Sequence, residues 1–211
     1  MKWPGWRPIG HATTTADMDR APQLDRPRIE EAFRIMGQYL LDRKTLGEVA
    51  IYGGSAILFQ FDWRKTSRDV DAQVISTGNH GAVIDAVRFA ASRLGLSPSW
   101  LSESVTSYAR RGEGDADRVL IGLYPSPERF GLRVLAARPE YILAMKLQAL
   151  ERVTADDRDF DDAVHLAVAC RAGSVDGLRD VFRKYFGEQN LPYRAELRLT
   201  ELATAIRARM S

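Results

Sequence analysis

The chain has 211 residues, of which 45% are hydrophobic and 27% are charged, so it can bury an ordinary globular core. Its formal net charge of +2 permits a nucleic-acid partner but is too weak to indicate one, and the single cysteine, Cys170, excludes an internal disulfide. No apolar run approaches the roughly 20 residues that span a bilayer, and no secretory apolar segment follows Met1, so we expect a cytoplasmic protein with no membrane partner.

The predicted elements begin after an irregular, proline-containing leader over residues 1–27. Apolar residues at helical spacing from residue 28 onward predict an amphipathic helix that packs against a sheet. A short strand over residues 48–52 ends in a glycine pair, and a short helix separates it from a second strand over residues 68–75. A further helix over residues 80–96 and two strands joined by a hairpin-like linker follow.

The hydrophobic period changes after Pro139, where four successive segments all have helical spacing. A mixture of strands and helices followed by helices alone predicts an α+β fold. We expect a small mixed β-sheet core flanked by helices over residues 28–137 and a C-terminal helical lobe over residues 138–211.

The second strand segment, RDVDAQVI, contains two aspartates separated by one residue. Because successive side chains of a strand point to opposite faces, Asp69 and Asp71 share a face and Val70 points to the other. Two neighbouring carboxylates repel each other unless a cation lies between them. Mg²⁺ suits this arrangement, since it binds oxygen ligands and completes its octahedron with waters and substrate phosphates. Two aspartates at an exposed sheet edge are the structural alternative.

A glycine pair follows the first strand directly. The junction formed by Gly53, Gly54 and Ser55 exposes backbone N–H groups at a helix N-terminus, which is a favourable site for phosphate oxygens. Ser55 is suited either to cap the helix or to bind a phosphate. The sequence GGS is also typical of a simple turn, and it lacks the lysine of a P-loop and the third glycine of a dinucleotide fingerprint.

One short helix separates the glycine pair from the aspartate strand. The two strands can therefore lie side by side, with phosphates held between them over the metal. This layout predicts Mg²⁺-dependent transfer from a nucleoside triphosphate.

The segments YGGSAILFQF and RKTSRDVDA resemble the nucleotidyltransferase superfamily, whose signature is a Gly-Gly or Gly-Ser loop, a helix and an Asp-x-Asp strand. They are more closely similar to its AbiEii-like and related uncharacterised bacterial branches, which carry a Gly-Gly-x-Ala turn and an Arg-x-Thr-x-x-Asp-x-Asp strand. The segment ARPEYILAMKLQALERVTADDRDFDDAVHLA resembles the Leu-x-x-Lys-Leu-x-Ala and Arg-Asp-x-x-Asp block of that branch, and SPSWLSESV resembles its Trp-Leu segment. The resemblance therefore implies a nucleotidyltransferase core whose active site is completed by the helical lobe.

The resemblance also implies a role for each matching residue. Asp69 and Asp71 would be catalytic and would bind one or two Mg²⁺ ions, which stabilise charge on the attacking and leaving oxygens. Lys146 would contact the triphosphate as a point charge, and Asp159 and Asp162 would be catalytic beside it. The implied triphosphate-binding residues are Gly53, Gly54, Ser55, Arg64, Arg68 and Lys146.

Several of these residues have a structural alternative. Lys146 lies among leucines on a helix, where a lysine can extend its side chain to the surface. Asp159 and Asp162 belong to an acidic run of the kind favoured at a helix N-terminus, although their spacing also puts them on one face. Arg64 and Arg68 flank the predicted site and are suited to neutralise phosphate or to approach an RNA backbone.

Many members of the superfamily have a third carboxylate on a neighbouring strand, whereas VLIGLY and LRVLAA contain no acid. The first hypothesis is a Mg²⁺-dependent nucleotidyltransferase that moves a nucleotidyl group from an NTP to a hydroxyl of RNA, such as tRNA, or of a protein. Such a bacterial toxin–antitoxin or phage-defence component would have a cognate antitoxin. The alternative is a catalytically degenerate protein of this fold that binds nucleotide or a protein partner. A third hypothesis is a homo-oligomer formed through the last helix, which carries Arg194, Arg198, Arg207 and Arg209.

Overall fold

The computed structural model describes residues 23–75, 78–104, 114–152, 157–187 and 189–210. These residues combine helices with a mixed five-stranded sheet, which confirms the predicted α+β class. Within the described ranges, no helix is both long enough and apolar enough to cross a membrane.

The segment predicted as an irregular leader is ordered at its end. Leu24–Asp25 form strand β1, and helix α1 spans Arg26–Asp42, so it begins two residues before the predicted start. The Asp25 side chain caps this helix by accepting a hydrogen bond from the Arg28 backbone N–H at 2.9 Å. Residues 1–22 of the predicted leader lie outside the described residues.

The remaining elements of the sheet region follow the predicted order, with two short additions. The two-residue strands β3 and β5 have no counterpart in the prediction, because so few residues leave no detectable period. The elements are β2 (Gly47–Ile51), α2 (Gly53–Gln60), β3 (Thr66–Ser67), β4 (Val70–Val74), α3 (His80–Leu94), β5 (Leu101–Ser102), β6 (Arg118–Ser126) and β7 (Arg129–Ala137).

The order of strands in the main sheet is β5-β4-β2-β7-β6. Strand β2 pairs antiparallel with β4 and parallel with β7, while β6 and β7 form an antiparallel hairpin and β5 runs parallel to β4. Ile51 at the end of β2 is the partner of Ala72, which follows Asp71 directly. This register brings the glycine junction next to the aspartate strand, as the sequence predicts.

The four helices predicted after Pro139 are all present in the described residues. They are α4 (Pro139–Ala149), α5 (Arg158–Ala169), α6 (Val175–Phe186) and α7 (Tyr193–Met210). One cluster of buried apolar side chains extends from the sheet region into all four helices. At this junction the Tyr52 ring meets the Tyr141 ring edge-on, with centroids 6.2 Å apart. The helical lobe is therefore packed directly against the end of β2.

Helix α7 uses its apolar stripe within the chain. Leu199, Leu202 and Ile206 are buried in the common core, and Arg198 pairs with Asp157 of the same chain at 2.6 Å. These buried residues of α7 are covered within the chain, because α7 packs mainly on α5. The homo-oligomer of the third hypothesis stays a prediction.

Candidate active site

The predicted site residues surround a cleft between the sheet region and the helical lobe. Two adjoining cavities, of about 280 and 330 Å³, form its arms. The first arm lies along Tyr52 and the aliphatic side of α4, whereas the second extends toward the loop before β4. Both arms share five lining residues and are therefore continuous: Gly54, Asp71, Lys146, Arg152 and Asp159.

The two aspartates of the predicted strand both reach this cleft. Strand β4 begins at Val70, so Asp69 lies in the bend just before it and only Asp71 lies within the strand. The carbonyl oxygen of Asp71 accepts a hydrogen bond from the Tyr52 N–H at 2.8 Å, which fixes this residue against the end of β2. Both aspartates line the second arm, as expected for two residues that share a face.

The pKa values of both aspartates are raised above the ordinary aspartate value. At Asp69 burial is the main cause, the negative charge of Asp71 adds to it, and the Arg68 charge acts in the opposite direction. At Asp71 burial again raises the pKa, while a hydrogen bond from Ser104 and the charges of Lys146 and Arg152 lower it. In this cleft the protein therefore holds two carboxylates whose negative charge is incompletely compensated.

The glycine pair forms the first turn of α2 and is not a separate turn before it. Gly53 has a φ of +54°, and a β-carbon added there would lie 2.9 Å from Oδ2 of Asp71. A β-carbon at Gly54 would lie 2.7 Å from Nη2 of Arg64. The glycines thus allow a carboxylate and a guanidinium to approach the backbone at the N-terminus of one helix.

Ser55 does not face the cleft. It is only 1% exposed, and its hydroxyl donates to the Tyr52 carbonyl at 2.8 Å. Tyr52 occupies the N-cap position, and no side chain caps the helix there. Neither of the two predicted roles of the Ser55 hydroxyl, capping the helix or binding phosphate, matches this geometry.

A network of ion pairs joins the two regions across the cleft. Lys146 Nζ on α4 lies 2.6 Å from Asp159 Oδ1 and 2.9 Å from Asp162 Oδ2, both on α5. The same Oδ2 atom of Asp162 accepts from Nη1 of Arg64 at 2.5 Å. Asp159 and Asp162 therefore share a face, as predicted, and Lys146 points into the site and not away from it.

The two helix aspartates occupy different positions in this network. Asp159 lines both arms of the cleft, whereas Asp162 is 5% exposed and lies behind the lining residues, between Arg64 and Lys146. A carboxylate in that position fixes two cations and has little access to a substrate. Asp162 is therefore placed to hold these two cations, while the catalytic role that the resemblance implied for it stays a prediction.

Positive charge predominates in the second arm. Five basic and three acidic residues line it, and the basic residues come from the segment between α2 and β4, from α4 and the turn after it, and from the start of α5. Arg64 and Arg68 were predicted from the sequence, whereas Arg152 and Arg158 were not. Such an excess of cations around a cleft favours a polyanionic ligand.

Sequence reasoning also missed Ser104. Its hydroxyl donates to Oδ1 of Asp71 at 3.1 Å, and it lines the first arm of the cleft. The signal available was its position in SPSWLSESV, one of the segments that carry the family resemblance. That segment gave no indication of which of its serines reaches the site.

The donor set at Asp69 and Asp71 fits a magnesium ion. Within the described residues, no group of three or more His, Cys, Asp or Glu side chains is arranged to hold a metal. Two carboxylates with raised pKa values beside a cation-lined arm nevertheless match Mg²⁺, which commonly uses one or two protein carboxylates together with waters and substrate phosphates. Asp69 and Asp71 are the residues that would hold it.

Comparisons with known proteins add no assignment to this geometry. No family model, no curated protein and no solved structure matches the chain.

Proposed function

We propose that this protein is a Mg²⁺-dependent nucleotidyltransferase that moves a nucleotidyl group from an NTP to a hydroxyl. The observation that carries the proposal is the cleft in which Asp69 and Asp71 face Lys146 across the glycine-containing N-terminus of α2. This arrangement combines carboxylate ligands for a metal with cations and backbone N–H groups for phosphate.

The residues of the cleft divide the binding of an NTP between them. Lys146 and Arg64 are held by Asp162, so their positive charges are fixed before the triphosphate arrives. The N–H groups of Gly53 and Gly54 lie at the positive end of α2 and favour phosphate oxygens. The first arm, lined by Ile142 and Met145 on α4, offers an apolar surface to the nucleoside.

The reaction requires an acceptor oxygen to attack the α-phosphorus while pyrophosphate leaves. When bound, Mg²⁺ supplies positive charge to the attacking and leaving oxygens. Asp69 and Asp71 hold that charge at the cleft, and Lys146 stabilises the leaving phosphates. Their fixed positions reduce the reorganisation that the transition state requires.

The proposal also names the acceptor, the cellular compartment and the biological role. The acceptor is a hydroxyl of RNA, such as tRNA, or of a protein, and the reaction takes place in the cytoplasm. The resemblance to AbiEii-like proteins supports a role in a bacterial toxin–antitoxin or phage-defence system, with a cognate antitoxin as protein partner. The basic lining of the second arm supports a polyanionic substrate.

A second candidate function is binding of nucleotide or a partner without catalysis. The observation in its favour is that no third acid joins Asp69 and Asp71 in a metal-binding group among the described residues. Calorimetry separates the candidates, since NTP binding that is independent of Mg²⁺ and leads to no product supports binding alone.

Label transfer tests the principal proposal. The purified chain is incubated with Mg²⁺, each α-labelled NTP in turn and total RNA or protein, and we expect label in the acceptor fraction. Asp69→Asn and Asp71→Asn should each lower the transfer rate about a hundredfold to a thousandfold, or about 3–4 kcal/mol. The matched control is Asp85→Asn, because Asp85 is exposed on α3 and pairs only loosely with Arg88 at 3.5 Å. Transfer that persists in both site variants would refute the proposal.

A further inference from the structure

Ser104 presents a hydroxyl inside the candidate NTP-binding cleft. The residue is exposed, and it lines the first arm together with Gly53, Gly54 and Lys146. Its Oγ donates to Oδ1 of Asp71 at 3.1 Å. An exposed hydroxyl is therefore hydrogen-bonded to one of the two carboxylates that we assign to the metal.

The backbone that leads into Ser104 is anchored by contacts of the residues before it. Trp100 is 2% exposed, its Nε1–H donates to the Val87 carbonyl at 3.3 Å, and its own carbonyl accepts from the Val70 N–H at 2.7 Å. Next to Ser104, one carboxylate oxygen of Glu103 accepts from the Val74 N–H at 3.2 Å. These contacts hold the start of the segment against β4 and direct Ser104 to Asp71.

The other hydroxyls of the cleft are in different environments. Among the described residues that line either arm, Tyr52 and Ser67 are the remaining hydroxyl bearers. The Tyr52 side chain is fully buried and donates to Gln73 Oε1 at 3.2 Å, and Ser67 is only 5% exposed. Ser104 is thus the exposed hydroxyl of this lining.

We propose that Ser104 is an intramolecular acceptor, so that the protein transfers a nucleoside monophosphate to its own Ser104 hydroxyl. This inference rests on the proposed function, because it requires a bound NTP and the cation held by Asp69 and Asp71. It goes further by naming one acceptor and one modification site.

The step balances as an ordinary phosphoryl substitution. The Ser104 Oγ forms a bond to the α-phosphorus, the bond from that phosphorus to the bridging oxygen of the β-phosphate breaks, and pyrophosphate leaves with the bonding electron pair. The hydroxyl proton is released to solvent water at the open side of the cleft as the new bond forms. The product is a phosphodiester between Ser104 and the nucleoside, which occupies the first arm and so blocks entry of the next NTP.

The test uses the whole chain with Mg²⁺ and each of the four NTPs, without any added acceptor. We expect the intact mass to increase by one nucleoside monophosphate per chain, and peptide mapping to locate the addition at Ser104. Because donor and acceptor belong to one molecule, the first-order rate constant should not change with protein concentration. Ser104→Ala should lose the addition completely, whereas Ser104→Thr, which keeps a hydroxyl, should retain it.

A matched serine controls for nonspecific labelling. Ser99 is an exposed serine of the same segment, its hydroxyl lies 2.9 Å from that of Ser97, and Ser99→Ala should be modified like the unaltered protein. Modification of another residue, or labelling that survives Ser104→Ala, overturns the assignment.

Two further outcomes separate this inference from the proposed function. A chain that binds NTP by calorimetry or labels RNA, yet keeps its original mass, overturns the role of Ser104 and leaves the nucleotidyltransferase proposal standing. A chain that neither binds NTP nor transfers label overturns the proposed function, and the role of Ser104 is then overturned with it.

Discussion

Two pairs of aspartates lie at the same cleft, one in the sheet region and one in the helical lobe, and the protein treats them differently. The pKa values of Asp69 and Asp71 stay raised mainly because burial outweighs the neighbouring cations, and the negative charge of Asp71 adds to the effect at Asp69. Asp159 and Asp162 are instead in direct ion pairs with Lys146, and Asp162 also pairs with Arg64. Aspartate thus forms internal ion pairs in the helical lobe, whereas in the sheet region it provides the two carboxylates that we propose as metal ligands.

The difference shows how two buried cations are held in place at the cleft, where we propose that a polyanion binds. Buried cations need an anion close by, and the carboxylate of Asp162 provides it without entering the cleft. The carboxylates of the sheet region are under-compensated mainly because they are buried, and this suits the divalent cation that we propose for them. The paired charges of Asp162, Lys146 and Arg64 maintain the structure of the cleft, whereas carboxylates with perturbed pKa values, such as Asp69 and Asp71, are typical of functional sites.

The strongest test of this comparison removes the internal counter-ion. Asp162→Ala leaves the largely buried Lys146 and Arg64 side chains without their shared anion, so the free energy of unfolding should fall by about 3–5 kcal/mol. The control is Asp161→Ala, because Asp161 is exposed in the first turn of α5. This substitution should lower the free energy of unfolding by at most about 1 kcal/mol. Urea unfolding measures both values, and equal losses would contradict the positioning role of Asp162.

The second test adds the cation that we propose for Asp69 and Asp71. At a Mg²⁺ concentration of about 100 times Kd, the free energy of unfolding should rise by about 2.7 kcal/mol. Thermal melts with and without Mg²⁺ should show this increase in the unaltered protein and in Asp85→Asn. The double variant Asp69→Asn with Asp71→Asn should show none, and an equal increase in that variant would exclude the pair as the metal site.

The third test alters the backbone that supports the same pair. Gly53→Ala places a β-carbon 2.9 Å from the Asp71 carboxylate at a φ of +54°, and strain at such a φ costs about 1–2 kcal/mol. Gly95→Ala is the matched control, because its φ is +62° and its β-carbon meets nothing within 4 Å. Both substitutions should lower the free energy of unfolding by a similar amount through backbone strain. Only Gly53→Ala should also lose the Mg²⁺-dependent stabilisation. Retention of that stabilisation would separate the glycine from the metal site.

The smallest expected effect is a pH dependence of stability in the absence of metal. The native state holds protons on Asp69 and Asp71 more tightly than the unfolded chain does, because their folded pKa values are raised. Their contribution to stability is therefore fully present below the ordinary aspartate pKa of 3.8 and is lost as the pH rises through the raised pKa values. In EDTA, the unaltered protein should gain stability relative to the double Asn variant as the pH falls. A constant difference between the two proteins would contradict the raised pKa values.

Most of the fold was predictable because its long elements are periodic. Ile29, Phe33, Met36 and Leu40 have helical spacing in the sequence, and all four are buried on α1. The sequence of helix α2 was less informative about which residues face the core, because five of its residues are buried. A helix that is apolar on all sides has no polar face that would indicate the direction of Ser55.

From the residue pattern alone, the candidate site was predictable only where its residues are local in sequence, whereas Lys146 and Asp159 were expected there through the family resemblance. The Asp-x-Asp pair and the glycine junction lie within one short segment, and both reach the cleft. The pairing of Arg64 with Asp162 spans 98 residues, and the hydrogen bond from Ser104 to Asp71 spans 33 residues. Such contacts depend on the packing of distant elements, which periodicity does not encode.

The contact between Arg64 and Asp162 has a consequence for the order in which the protein becomes competent. Domains are synthesised from the N-terminus and fold as their elements emerge from the ribosome. Asp69 and Asp71 emerge early, but Asp162, which pairs with Arg64 and Lys146, arrives 98 residues after Arg64. A nascent chain therefore carries an unfinished cleft, and any activity of that cleft begins only once α5 has been made.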